Sequence, residues 1–109
     1  MSVDTAELAR LYPLDSLRAE NLEQLAREAS TEEVGRGTVL FRAGDNDDET
    51  IYLLSGQVVG RYPDGKVKTT DGGSLQGRYP LGDLQPRRFT AVVESLSATL
   101  LRIDRRFTE

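Results

Sequence analysis

Residues 73–93 read Gly-Ser-Leu-Gln-Gly-Arg-Tyr-Pro-Leu-Gly-Asp-Leu-Gln-Pro-Arg-Arg-Phe-Thr-Ala-Val-Val, and the interpretation of the whole chain depends on this stretch. It begins at a glycine-rich turn, passes through a polar loop and a Pro-Arg-Arg sequence, and ends in an apolar run typical of a strand. Glycines let backbone N–H groups approach an anion closely, and arginines donate to anions bidentately. Taken alone, such a stretch is more typical of an ordinary solvated turn, and an anion-binding loop is the alternative.

The composition excludes several classes of site. The 109-residue chain suits one domain and contains neither cysteine nor histidine, so we expect no catalytic histidine, no metal site and no cofactor. Residues 55–109 carry 9 basic and 6 acidic side chains, a net charge of +3, within a chain of net charge −4. This half suits a small anionic ligand better than a nucleic acid, which needs clustered Lys and Arg with aromatic platforms.

The sequence also bears on location. It contains no apolar run of about 18 residues, the length that a membrane-spanning helix needs. Its start lacks the basic and then apolar pattern of a secretion signal. We therefore expect a cytoplasmic protein without a membrane segment.

Two helices are predicted near the start of the chain, at 4–12 and 18–29. The second has an apolar stripe at the spacing i, i+3, i+4, i+7, formed by Leu22, Leu25, Ala26 and Ala29. We expect residues 1–30 to be an N-terminal helical segment that covers a β-barrel sensor domain at 31–109. The two parts together form one structural domain.

From residue 31 onward, short β-prone segments alternate with turn signals, which predicts a mainly β, antiparallel barrel or jelly roll. The predicted strands lie at 32–34, 38–42, 50–55, 57–62, 66–70, 89–94 and 98–103. Pro63-Asp64-Gly65 predicts a hairpin turn. The acidic run 45–49 lacks the glycine and the distal glutamate of an EF-hand loop, so we expect it to be a solvated loop.

The 73–93 stretch resembles the phosphate-binding cassette of cyclic nucleotide-binding domains, the family of catabolite-activator-type regulators and protein kinase A regulatory subunits. That pattern reads Gly-x-Phe-x-Gly-Glu-x-(Ala/Gly)-Leu, then six or more residues, then Arg-(Ala/Ser). Its matching positions in this sequence are Gly73, Leu75, Gly77, Leu81 and Arg88. Three further positions depart from the pattern: Arg78 stands at the glutamate, Pro80 at the small residue before the leucine, and Phe89 at the small residue after the arginine.

The framework segments extend the resemblance over about residues 12–107. Residues 36–45 are similar to the family's Gly-x-x-Ile-Phe-x-x-Gly-Asp segment, and residues 51–58 to its Tyr-x-(Ile/Leu)-x-x-Gly-x-Val strand pair. Residues 101–104, Leu-Arg-Ile-Asp, are similar to the closing strand. The resemblance implies a double-stranded β-helix fold of the cyclic nucleotide-binding type.

The resemblance also implies a site. In the family the cassette arginine binds the cyclic phosphate and the glutamate accepts the ribose 2′-hydroxyl. By position, Arg88 is the candidate for the phosphate, and Arg87 is the alternative because Pro-Arg is itself the family dipeptide. The guanidinium of Arg78 has no acceptor atom for the hydroxyl. The complete candidate set for a phosphate or other anion is Gly77, Arg78, Tyr79, Leu81, Arg87, Arg88 and Phe89.

The function implied is that of a regulatory or sensor domain, not an enzyme, which controls a fused effector or a partner protein. The departures at the cassette predict weak or absent binding of cyclic AMP and cyclic GMP, and leave another small anionic ligand open. The alternatives are a functional cyclic AMP-binding domain and a metal-free cupin-like enzyme. We expect the chain to be part of a longer protein, with a homodimer as an open expectation for the full-length form.

Overall fold

The computed structural model of the protein describes residues 5–12, 14–47, 49–74, 78–82 and 86–104. Helices come first in the chain: α1 spans Thr5–Leu8, a single 3-10 turn spans Leu14–Ser16, and α2 spans Ala19–Glu28. Seven strands follow, namely β1 (Ser30–Gly35), β2 (Val39–Phe41), β3 (Glu49–Ser55), β4 (Gln57–Arg61), β5 (Val67–Asp71), β6 (Thr90–Val93) and β7 (Ser97–Asp104).

The strands form two antiparallel sheets. The first sheet has three strands in the order β1-β7-β3, and the second has four in the order β2-β6-β4-β5. The predicted mainly β, antiparallel architecture with N-terminal helices is confirmed. All seven predicted strands are present, and their ends lie within two residues of the predicted ones.

Within the three-stranded sheet, β3 and β7 are buried on both faces, because successive side chains of a strand point to opposite sides and each side meets a core. On β3, Ile51 and Leu53 belong to the core between the sheets, whereas Tyr52 belongs to the core beneath the helices. On β7, Leu100 joins the first core and Leu101 the second. Double burial explains why these strands read as nearly continuous apolar runs.

The apolar stripe of α2 covers the outer face of that sheet, as predicted. Leu25, Ala26 and Ala29 are buried against Tyr52 and Leu101, and Leu22 is half-buried beside them. The amphipathic pattern alone was therefore sufficient to identify the buried face of this helix.

The first helix is shorter than the predicted 4–12. It ends at Leu8, and beyond it the backbone N–H of Tyr12 donates to the carbonyl oxygen of Arg78 at 2.7 Å. The hydroxyl of Tyr52 donates to the carbonyl oxygen of Tyr12 at 2.6 Å. These contacts with residues far along the chain replace the i→i−4 bonds that would continue the helix.

The predicted hairpin at Pro63-Asp64-Gly65 joins β4 to β5 and is confirmed. The N–H of Gly65 donates to the carbonyl oxygen of Tyr62 at 2.9 Å, and the N–H of Tyr62 donates to that of Lys66 at 2.8 Å. The carboxylate of Asp64 accepts from the N–H of Lys66 at 3.0 Å, as in the side-chain turns that aspartate favours. Within the described ranges, no helix has the length and apolar character that crossing a membrane requires.

The packing of α2 gives a stability prediction. Leu25→Ala leaves a cavity beneath the helix, because Leu25 has 0% of its surface exposed. We expect the free energy of unfolding to fall by about 2–5 kcal/mol. Leu96→Ala is the matched control, since Leu96 is 79% exposed, and it should change stability by less than about 0.5 kcal/mol. Urea denaturation of both variants tests this, and equal losses would contradict the packing described.

Candidate functional site

The most buried charged side chain of the described residues is that of Arg87, with 1% of its surface exposed. Its guanidinium binds the carboxylate of Asp47 through two bonds, Nε to Oδ2 at 3.1 Å and Nη2 to Oδ1 at 2.8 Å. It also lies over the ring of Phe41, 4.1 Å from the centroid. A bidentate carboxylate is the partner that a buried guanidinium requires.

The remaining donors of Arg87 bind backbone carbonyl oxygens. Nη1 donates to Leu81 at 3.0 Å and to Gly82 at 2.6 Å, and Nη2 donates to Glu49 at 2.8 Å. A guanidinium has five N–H donors, so every donor of Arg87 is engaged. Arg87 therefore holds three chain segments together and has no donor left for a ligand.

Part of the acidic run 45–49, for which the sequence predicts a solvated loop, is folded against Arg87, because residues 42–47 form a loop that is bonded to it. The N–H of Arg87 donates to the carbonyl oxygen of Asp45 at 2.7 Å, and the N–H of Gly44 donates to that of Arg87 at 2.7 Å. The expectation was wrong for Asp47, because its carboxylate neutralises a cation 40 residues away. Among the described residues, no three acidic side chains are grouped so that they could hold a metal ion.

A cavity of about 390 Å³ lies between the β4–β5 hairpin and the loop formed by residues 78–82, which we call the 78–82 loop. The hairpin contributes Val58, Gly60, Tyr62, Lys68 and Thr70. Val58 pairs with Thr70 and Gly60 with Lys68 across the two strands, so these residues share the inner face of the hairpin. The volume lies in the range of small-molecule sites.

The opposite wall comes from the 78–82 loop and the residues after Arg87. Its members are Tyr79, Pro80, Leu81, Gly82, Arg88 and Phe89. Leu81 is anchored by its N–H, which donates to the carbonyl oxygen of Ile51 at 2.8 Å. We call Arg87 and the groups bonded to it the Arg87 cluster. The 78–82 loop therefore contributes both to the cavity wall and to the Arg87 cluster.

The aromatic ring of Phe89 shapes the cavity. It packs against Phe41 at a centroid distance of 5.3 Å and against Tyr62 at 5.1 Å. A Cβ atom on Gly60 would lie 2.7 Å from this ring, and one on Gly82 would lie 2.9 Å from it. The two glycines leave the space that the ring occupies.

Two cations face the cavity from different walls. Lys68 lies on β5 and Arg88 follows Arg87, and both side chains are exposed. No acidic side chain is among the described residues that line the cavity. The sequence analysis did not identify Lys68 as a cavity residue. Its position opposite Gly60 in the predicted hairpin was the signal that could have placed it on the same face as Gly60.

The predicted site residues therefore do not all line the cavity. Tyr79, Leu81, Arg88 and Phe89 line the cavity. Arg87 is turned into the protein, and Gly77 lies outside the described residues.

Arg78 is directed at the N-terminal helical segment. Its Nε donates to the carbonyl oxygen of Arg10 at 2.7 Å, and it is not among the described lining residues of the cavity. Its neighbour Tyr79 packs against Tyr12 with a ring centroid distance of 5.2 Å. Arg78 and Arg88, two arginines of the candidate anion-binding set, thus serve different parts of the molecule.

No protein-family model matches the sequence, and a search of curated proteins finds no significant match. Solved structures do match. The chain is similar to the regulatory domain of Toxoplasma gondii PKA with cAMP (TM-score 0.76, 20% identity, 94% of this chain and 40% of that chain). It is also similar to the sensor domain of the transcriptional regulator DNR from Pseudomonas aeruginosa (TM-score 0.77, 18% identity, 94% of this chain and 75% of that chain).

A third similar structure is the regulatory subunit of a cAMP-independent protein kinase A from Trypanosoma brucei (TM-score 0.74, 16% identity, 94% of this chain and 39% of that chain). The chain thus spans about two fifths of the length of the two kinase subunits. These likenesses show that it has the fold of cyclic nucleotide-binding domains.

The Arg87 cluster predicts unequal roles for two adjacent arginines. Arg87→Met removes a buried cation and leaves the carboxylate of Asp47 and three carbonyl oxygens without these bonds. We expect a loss of about 3–5 kcal/mol in the free energy of unfolding. Arg88→Met, at the exposed neighbouring position, should cost less than about 0.5 kcal/mol. Urea denaturation compares the two, and equal stabilities would overturn the structural role of Arg87.

Gly60→Ala tests the close packing of Phe89. The new methyl group meets a ring held between Phe41 and Tyr62, so we expect a loss of about 1–3 kcal/mol and displacement of the Phe89 ring signals in NMR spectra. Gly35→Ala is the control, because the nearest atom to its Cβ is 3.9 Å away and Gly35 does not have a positive φ. Unchanged Phe89 signals in Gly60→Ala would refute the close contact.

Proposed function

We propose that this domain is a regulatory sensor module that binds a small anionic ligand in the cavity and controls a fused effector or a partner protein in the cytoplasm, without catalysing a reaction. One observation carries the proposal. The cavity is lined by the two cations Lys68 and Arg88 and, among the described residues, by no acid. An anion entering it gains electrostatic attraction and meets no opposing charge from the described lining residues.

The similar structures support the regulatory part of the proposal. One is described as the regulatory domain of a kinase and another as the sensor domain of a transcriptional regulator. The fold alone does not select the ligand, because one similar structure contains cAMP and another is described as part of a cAMP-independent kinase.

Weak binding of cyclic AMP and cyclic GMP belongs to the same proposal. The donors of Arg87 are already engaged, and Arg78, at the position of the family's glutamate, is bonded to Arg10. A ribose hydroxyl then finds no carboxylate among the described residues of the cavity wall. An unpaired buried hydroxyl costs about 1–3 kcal/mol, a loss of about tenfold to a hundredfold in affinity.

A functional cyclic AMP-binding domain remains the second candidate, favoured by the exposed Arg88 on the cavity wall.

The 78–82 loop supplies a physical route from ligand to output. Tyr79 and Leu81 line the cavity, while the backbone carbonyl and side chain of Arg78 bind Tyr12 and Arg10. A ligand that shifts this loop therefore acts on the N-terminal helical segment directly. We propose that the effector senses that segment; a homodimer of the full-length form would offer a second route.

Titration of the ¹⁵N-labelled domain with cyclic AMP and with cyclic GMP tests the proposal. We expect dissociation constants of about a millimolar or above, close to −4 kcal/mol, with signal changes at the cavity residues and at Arg10 and Tyr12, which the 78–82 loop contacts. Arg88→Ala should weaken this binding by about 1.5–3 kcal/mol, the value of a charge-assisted hydrogen bond.

Arg61→Ala is the control, because Arg61 carries the same charge at the end of β4 but is not among the described residues that line the cavity. Micromolar binding of either nucleotide would show that the site is a conventional one. Equal effects of the two substitutions would place the binding elsewhere.

A further inference from the structure

We infer that the cavity selects a small aromatic carboxylic acid, with its ring on the cavity floor and its carboxylate at the mouth. The inference rests on the proposed function, since it takes the cavity to be a ligand site. It concerns the chemical class of the ligand and its orientation.

The floor of the cavity is apolar. Val58 and Leu81 have only 2% and 5% of their surface exposed, and both belong to the core between the sheets. Phe89 and Tyr62 add aromatic surface beside them. A flat hydrocarbon ring matches such a surface, because apolar and aromatic groups pack without leaving a polar group unpaired.

The floor also offers an anion few free hydrogen-bonding groups and no charged partner among the described residues. β4 pairs with β5 on one side and β6 on the other, so its backbone N–H and C=O groups are used in the sheet. The carbonyl oxygens of Leu81 and Gly82 accept from Arg87, whose own donors are all engaged. A phosphate or carboxylate placed at the floor would lose its hydration without gaining charged partners.

The mouth has the opposite character. Lys68 and Arg88 are exposed, and neither side chain makes a hydrogen bond or an ion pair within the described residues. Both can therefore turn toward a carboxylate without giving up a partner among those residues. The hydroxyl groups of Tyr62, Thr70 and Tyr79 are the other polar side-chain groups of the described cavity lining.

A nucleoside fits this distribution poorly. Its base and ribose carry several N–H and O–H donors, and the only side-chain acceptors among the described lining residues are the hydroxyls of Tyr62, Thr70 and Tyr79. A simple aromatic acid brings one anionic group, which accepts hydrogen bonds, and no hydrogen-bond donor. The cavity volume of about 390 Å³ is near the lower end for small-molecule sites, which suits a ligand of one or two rings.

The test compares 2-naphthoate with its neutral analogue 2-naphthylmethanol, by calorimetry and by NMR of the wild-type domain. We expect naphthoate to bind about tenfold more tightly or better, because two cations face its carboxylate. The naphthyl protons should give nuclear Overhauser contacts to the methyl groups of Val58 and Leu81. These nuclear Overhauser contacts are measured on the wild-type domain, so the result is not affected by whether a variant folds.

Charge variants test the mouth. Lys68→Gln and Arg88→Gln should each reduce the preference for naphthoate, and the double variant should bind acid and alcohol equally. Lys66→Gln and Arg61→Gln each remove one positive charge from the β4–β5 hairpin at a position outside the described cavity lining, and they should keep the preference.

Two results would overturn the inference. If naphthoate binds no better than the alcohol while cyclic AMP binds in an Arg88-dependent way, the aromatic-acid inference fails and the proposed function stands. If neither the acids nor the nucleotides shift the NMR signals of the cavity residues, the proposed function fails as well.

Discussion

The buried guanidinium of Arg87 is the interaction on which the site depends. A charge removed from water must be paired and fully hydrogen-bonded, and Arg87 satisfies this requirement only when the 42–47 loop, the start of β3 and the 78–82 loop all meet around it. Asp47 supplies the opposite charge, and backbone carbonyl oxygens supply the remaining acceptors. The position of the cavity wall therefore follows from the coordination of one side chain.

This arrangement separates two tasks that adjacent arginines perform. All donors of Arg87 bond within the protein, whereas Arg88 lies exposed on the cavity wall. Lys68 of β5 lines the same cavity. The consequence is a cavity with an apolar floor and a cationic mouth. In the function that we propose, the charge at the mouth attracts an anion, and the shape and polarity of the floor discriminate between ligands.

The shape of the cavity floor depends on two glycines as well as on the apolar side chains that line it. Gly60 and Gly82 leave room for the ring of Phe89, which also packs against Phe41 beside the Arg87 cluster. The loop that carries Leu81 is bonded in turn to the N-terminal helical segment through Arg78. Cavity, buried ion pair and helices thus form one connected set of contacts, in which a movement of the 78–82 loop affects all three.

The sequence by itself determined the elements of secondary structure. The strand pattern, the turn at Pro63-Asp64-Gly65 and the apolar stripe of α2 are local signals, because periodicity and turn chemistry involve residues close together in the chain. The family resemblance located one wall of the cavity. Leu81 of the 78–82 loop and Phe89 both belong to that wall.

Only the tertiary structure decided which arginine is buried, where Arg78 points, that Asp47 is paired, and that Lys68 faces the cavity. Each of these depends on a partner far away in sequence, such as the 40 residues between Arg87 and Asp47. Adjacent arginines have the same local chemistry, so no pattern along the chain distinguishes them. What distinguishes them is the set of carbonyl oxygens and the carboxylate that folding brings to one of the two.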